Sequence, residues 1–121
     1  MMQTILIVDD SATIRQMAGF CLRQAEYQVI EAVDGQDALE KLKKQKINLL
    51  LTDLYMPRLD GIGLAKQVRA LAQYRFMPIL ILTTEVQIAK KNEGQAAGVS
   101  GWFVKPFEPG MLIKVIKRLM P

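Results

Sequence analysis

Residues 47–57 read INLLLTDLYMP, an unbroken apolar run that ends on a carboxylate, Asp53. A strand with one wet face alternates apolar and polar residues. A continuous run instead suits a strand covered on both faces, as in a parallel sheet. The same character marks ILIV (5–8) within Thr4–Asp9 and ILIL (79–82) within Pro78–Thr84. With Ile47–Asp53, Gln28–Ala32 and Gly101–Val104, these runs predict five strands.

The stretches between them have helical periodicity. In the first, Ile14, Met17, Ala18, Cys21, Leu22 and Ala25 fall on one face. Cys21 is therefore expected to pack in the core rather than react. The second follows the turn signal Asp34-Gly35, points Ala38, Leu39 and Leu42 inward and carries Lys41, Lys43, Lys44 and Lys46 outside. The third has the stripe Leu64, Ala65, Val68, Leu71 and Ala72. The fifth opens on Pro109, a good first-turn residue, and buries Leu112, Val115, Ile116 and Leu119. The fourth differs. Between Glu85 and Ala97 its larger apolar residues are only Val86 and Ile88, with Gly94 inside and Gly98 at the end. A helix with so little to bury should be loosely held.

The chain has 121 residues, one ordinary domain able to bury a core. Half is apolar and 23% charged, which excludes a disordered chain. There is no histidine, so the commonest general base and transition-metal ligand are missing. The single cysteine forms no internal disulfide, no apolar run is long enough to span a bilayer, and the first residues lack a signal peptide's basic start. A cytoplasmic globular protein is expected. Net charge is +4, from 16 basic and 12 acidic residues. The basic residues are spread over several helices without a recognition motif, so nucleic acid is not an expected partner.

Five βα units without repeat or linker imply one doubly wound α/β domain over 1–121, with helices on both faces of the sheet. Such folds place their site in the crevice beyond the carboxyl ends of the strands. There the sequence puts Asp9-Asp10 after strand one, Asp53 after strand three, Thr83-Thr84 after strand four and Lys105-Pro106 after strand five. Three clustered carboxylates are unstable alone, since unit charges about 4 Å apart repel by about 4 kcal/mol at an effective dielectric of about 20. Either one of them is protonated or a cation compensates, and for a cation the all-oxygen ligand set selects magnesium, with manganese as the alternative, over zinc. Lysine binds phosphate as a point charge, threonine can bond a phosphoryl oxygen, and carboxylates can form aspartyl-phosphates. Each residue alone has an ordinary explanation as a cap or loop residue. Their convergence in one crevice points to phosphoryl transfer.

Asp9-Asp10, Thr52-Asp53-Leu54-Tyr55-Met56-Pro57 with Asp60-Gly61, Thr83 and Lys105-Pro106 resemble the receiver domains of bacterial response regulators in two-component signalling. The resemblance covers essentially the whole chain. It implies the flavodoxin-like (CheY-like) arrangement, a five-stranded parallel sheet in order 2-1-3-4-5 with five helices. It implies Asp53 as phosphoacceptor in a magnesium-dependent reaction fed by a histidine kinase or small acyl phosphate. Asp10, Asp53 and the backbone carbonyl of Tyr55 would hold the metal, with Asp9 acting through a water or hydrogen bonds. Lys105 would pair with the phosphoryl group across a cis bond to Pro106, and Thr83 would turn toward the new oxygens. Trp102 matches the aromatic switch position, although it is larger than the usual tyrosine or phenylalanine. Tyr55 and Glu85 would flank the phosphate and affect dephosphorylation.

No effector region follows in this sequence, so the output is expected from the receiver's own surface. The resemblance places that output on the fourth helix, fifth strand and fifth helix, where Trp102, Lys90, Lys91, Lys114, Lys117 and Arg118 would suit an acidic, partly apolar partner. A monomeric signalling protein is expected, not an enzyme acting on external substrates. Chemotaxis or flagellar motor control is one pathway. Another stand-alone regulator, a phosphorelay intermediate or a receiver excised from a longer protein is the alternative. Two further readings fit less well. An aspartyl-phosphate phosphohydrolase of the haloacid dehalogenase type needs a second Asp where Tyr55 stands, and a cap. A flavodoxin-like cofactor binder needs a phosphate-cradling loop where Asp9-Asp10-Ser11 stands.

Overall fold

In the computed structural model, which describes residues 2–121, the elements follow in strict alternation. They are β1 (Thr4–Val8), α1 (Ala12–Gln24), β2 (Gln28–Ala32), α2 (Gly35–Lys44), β3 (Leu49–Thr52), α3 (Gly61–Ala70), β4 (Ile79–Thr83), α4 (Ile88–Ala96), β5 (Gly101–Val104) and α5 (Pro109–Leu119). A single 3-10 turn, Ala72–Tyr74, separates α3 from β4. The strands are parallel in the order β2-β1-β3-β4-β5, as expected.

The unbroken runs are explained by burial on both sides. Leu50 joins Leu6, Ile79, Ile81, Leu42 and Leu64 in one core beneath α2 and α3. Leu49 and Leu51 join Ile5, Leu80, Leu22, Leu112 and Ile116 in a second core beneath α1 and α5. The edge strands β2 and β5 are only partly covered.

Four helices begin with a side-chain cap. Ser11, Asp34 and Asp60 each accept from the N–H three residues on, and Glu108 accepts from Gly110 and Met111. Such caps stabilise a helix start by about 1 kcal/mol. Among these helices α4 alone starts without one, at Gln87, and buries only Gly94 along its length. Val86 and Ile88, its larger apolar candidates, are exposed. The expectation of a weakly held fourth helix therefore has a structural basis.

Periodicity misplaced several residues. On α1 only Ala18, Gly19 and Leu22 are buried, while Met17 is exposed and Cys21 half-buried. The sheet reaches only a narrow strip of this helix, Ala18, Gly19 and Leu22, not the whole apolar stripe. Burial, with Glu108 adding repulsion, still raises the Cys21 thiol above its usual pKa. Ala72 is exposed because α3 ends at Ala70 and the following 3-10 turn resets the register. Tyr74 is buried in its place, with its hydroxyl against the carbonyls of Leu42 and Gln45. On α5, Val115 and Leu119 are half-buried. Among the described residues no helix is long and apolar enough to cross a membrane.

Candidate functional site

The crevice is built by carrying the sheet's ladders one residue past the strands. Asp9 N–H donates to the Ala32 carbonyl (3.2 Å), Asp53 N–H to Val8 (2.9 Å) and Lys105 N–H to Thr83 (2.8 Å). These bonds fix the backbones of Asp9, Asp53 and Lys105, and the side chains follow. Gly61 N–H donates to the Leu54 carbonyl (2.8 Å), and a Cβ at Gly61 would run into the carbonyl oxygen of Asp53. Only glycine lets α3 start this close to the site.

One carboxylate oxygen from each of Asp9, Asp10 and Asp53 lies within 4.8 Å of the others. Asp9 is almost fully buried, Asp53 intermediate and Asp10 exposed. Both oxygens of Asp9 are engaged, Oδ1 by Ser11 N–H (2.9 Å) and Oδ2 by Lys105 Nζ (3.0 Å). On Asp53, Oδ1 accepts from Leu54 N–H (2.8 Å) and Oδ2 stands 3.6 Å from Lys105 Nζ. Burial raises the pKa of Asp53 above the usual carboxylate value, and Asp9 and Asp10 raise it further. Lys105 and the Leu54 N–H pull the other way. Asp53 is thus a carboxylate short of positive charge.

This donor set suits a hard divalent cation: three carboxylates, no sulfur and no imidazole. Asp10 and Asp53 have the uncommitted oxygens, while Asp9 is already occupied by hydrogen bonds. Thr83 is buried, and its hydroxyl accepts from Glu85 N–H (3.2 Å) without bonding the carboxylates. The Lys105-Pro106 peptide is cis.

Around the mouth the structure adds contacts that the sequence did not announce. The Tyr55 phenol donates to the Glu85 carboxylate, bridging the loops after β3 and β4. This bond raises the tyrosine's pKa and lowers the glutamate's. The Glu85 carboxylate also accepts from the N–H groups of Val86 and Gln87 (both 3.1 Å). Its backbone carbonyl accepts from Trp102 Nε1 (2.9 Å). Trp102 is half-buried, packed against the core on the α4 side. A Cβ on Gly94 would stand 3.1 Å from its Cζ3. The indole is therefore seated beneath α4.

The model of the response regulator receiver domain matches residues 5–117. The crystal structure of the Vibrio cholerae chemotaxis protein CheY4 superposes with a TM-score of 0.96 at 45% identity, covering 99% of this chain and 100% of that one. A chemotaxis protein CheY homolog from Campylobacter jejuni is 40% identical over 118 residues, 96% of this chain and 91% of its own. The receiver domain of a Pseudomonas aeruginosa sensor histidine kinase, solved with magnesium coordinated in its active-site cleft, is 28% identical with a TM-score of 0.90 and 98% of each chain covered. Other matched relatives are transcriptional regulators of which this chain spans about half, 47% and 48%. With the topology, the acidic crevice and these similarities in agreement, the chain belongs to the response regulator receiver domains of two-component signalling.

Proposed function

We propose that Asp53 accepts a phosphoryl group and that the modified crevice changes a protein-binding surface on α4, β5 and α5. One observation carries this reading. The Asp53 carboxylate has one oxygen fixed by the Leu54 N–H and the other facing Lys105, with two further carboxylates beside it. That is a nucleophile held for in-line attack, next to a place for a cation.

In the reaction Asp53 Oδ2 attacks the phosphorus of a phosphohistidine or small acyl phosphate. The new P–O bond forms as the bond to the imidazole nitrogen or acyl oxygen breaks, and the leaving group takes the electron pair. Asp10, Asp53 and the Tyr55 carbonyl would hold magnesium, with Asp9 acting through a water. When bound, the ion neutralises charge on the transferring oxygens. Lys105 moves from Asp9 toward the phosphoryl group, and Thr83 exchanges its bond to the Glu85 N–H for a phosphoryl oxygen. Hydrolysis resets the site: water attacks phosphorus, the P–O bond to Asp53 breaks with its electron pair returning to the carboxylate, and inorganic phosphate leaves as a water proton passes to solvent. The protein thus assists its own phosphorylation and dephosphorylation without turning over other substrates.

A donor must bring its phosphoryl group to the crevice, so it should cover the groups on its border. Phe20 and Met17 on α1 are exposed beside Phe107 and offer a protein donor an apolar contact, while membership of the receiver family supports a histidine kinase as that donor. The output partner would meet Trp102 and the recess it shares with Lys91, Gln95 and Val99, with Lys114, Lys117 and Arg118 supplied by the neighbouring α5. Lys90 on this face is paired with Glu93 (3.3 Å). An acidic, partly apolar segment fits. Similarity to chemotaxis proteins supports a regulator of chemotaxis, which would act in the cytoplasm as a monomer, and a phosphorelay step is the second reading. Incubation with magnesium and a small acyl phosphate should add one phosphoryl mass. Retention of that gain in Asp53→Asn would refute the site.

A further inference from the structure

Glu85 is the residue where the site mouth and the output surface meet. Its carboxylate accepts the Tyr55 phenol, two residues beyond Asp53. Its backbone N–H is held by the Thr83 hydroxyl and its carbonyl holds the Trp102 indole. The segment from Thr83 to Gln87 is therefore tied on three sides before α4 begins. No side chain caps α4, so this loop is what fixes the helix's amino-terminal end.

We infer that Tyr55 is a positioning residue: its bond to Glu85 holds the β4–α4 loop, and through the Glu85 carbonyl it holds Trp102 in its seat beneath Gly94. The inference rests on the phosphoacceptor reading and assigns regulation of that site. A phenol has one proton to donate. A phosphoryl group on Asp53 would bring new acceptor oxygens and negative charge into the crevice whose mouth Tyr55 and Glu85 bridge, where it would compete for that proton and repel the glutamate. Losing the bond leaves the Glu85 carboxylate held only by N–H groups of its own loop, Val86 and Gln87, and unties that loop from the one after β3. Because the Trp102 indole bonds the same residue's carbonyl, the release reaches the α4–β5 surface without any change in the sheet. The basic residues gathered there would then face a partner from a different backbone arrangement.

Trp102 is the only tryptophan in the chain, so its fluorescence reads this tie directly. The test uses the full chain with magnesium and no phosphodonor, comparing wild type, Tyr55→Phe, Glu85→Ala and the double variant. Both single variants should shift Trp102 emission to the red and raise its acrylamide quenching, with far-UV circular dichroism unchanged. The double variant should go no further than either single one. The resting spectrum of Tyr55→Phe should resemble that of wild type loaded with beryllium fluoride. Wild-type emission in Tyr55→Phe, or additive effects in the double variant, would overturn the tie. Phosphoryl mass gain is measured separately, so its failure in wild type would refute the phosphoacceptor reading while the resting fluorescence still decides this one.

Discussion

Replacing Lys105 with methionine keeps the length and apolar stem of the side chain and removes its charge from between two carboxylates. Lys105 Nζ lies 3.0 Å from Asp9 Oδ2 and 3.6 Å from Asp53 Oδ2, and both carboxylates are largely out of solvent. At an effective dielectric of about 20 these separations correspond to gross attractions of about 5 kcal/mol each. Much of that is offset by the lysine's own desolvation. Breaking a buried pair by deleting one partner nevertheless costs about 3–5 kcal/mol, because the remaining charge is left uncompensated. Here the loss has a ceiling. Asp53, whose pKa burial already raises, can take up a proton, at about 1.4 kcal/mol for each pH unit above its pKa. We therefore expect the lower end, about 3 kcal/mol at neutral pH without metal.

For a domain of this size that corresponds to a fall in Tm of roughly 10 °C. Scanning calorimetry in EDTA measures it. Magnesium stabilises both proteins, so it narrows the gap only by the ratio of their affinities, about 1.4 kcal/mol for a variant that binds tenfold more tightly. The variant should also bind magnesium more tightly than wild type, because the competing ammonium is gone. Phosphoryl loading should nevertheless slow, for want of the lysine that meets the incoming group. An unchanged Tm in EDTA, or weaker magnesium binding, would refute the claim that Lys105 holds the carboxylates together.

Three other perturbations follow from the same geometry. In the metal-free protein the raised pKa of Asp53 means that its charged form destabilises the fold. The folded state then binds more protons than the unfolded one, so stability falls as pH rises from the ordinary value of 3.8 through the raised one. Asp53→Asn should therefore raise Tm at neutral pH in EDTA, and the gain should vanish below the ordinary value; a gain that grew on acidification would reverse the sign. Gly61→Ala should cost about 1–3 kcal/mol and slow phosphoryl loading, since the added methyl meets the Asp53 carbonyl; urea titration and intact mass measure the two effects. Gly94→Ala gains up to about 1 kcal/mol of helix propensity and crowds the Trp102 ring, so Tm should hardly move while tryptophan emission changes. Unchanged emission would place the ring elsewhere.

The sheet and the carboxylate cluster could be read in advance because both depend on the order of residues along strands. Burial on both faces writes itself as LLL at 49–51, and a strand's end sets where Asp53 or Lys105 must stand. Contacts made across loops left no such mark. Tyr55 and Glu85 are thirty residues apart, and nothing in their neighbours signals a bond between them. Met17 and Ala72 failed for another reason. Helical spacing tells which residues share a face, but not how wide a strip of that face the sheet covers or where the helix stops. The glycine at 61 could have been noticed after Asp60, but its crowding against Asp53 arises only when α3 folds back.

The two ends of the signalling path are held with unequal strength, and that asymmetry gives the path its direction. Asp9, Asp53 and Lys105 sit on backbone bonds that extend a parallel sheet whose central strands are fully buried, so an added phosphoryl group could not shift them cheaply. The helix that must respond has no amino-terminal cap and buries a single glycine. Its far end is anchored, because Arg69 donates to the Gly98 carbonyl through Nε (3.1 Å) and Nη2 (2.7 Å). Its near end depends on the Thr83–Gln87 loop and the Trp102 indole. A helix fixed at its carboxyl end and loosely tied at its amino end would respond by pivoting, with the displacement largest where the loop meets the site. On the proposed reading, negative charge added at Asp53 would act on an element whose position a few hydrogen bonds decide, and its displacement would rearrange the surface that Trp102 shares with Lys91 and Gln95.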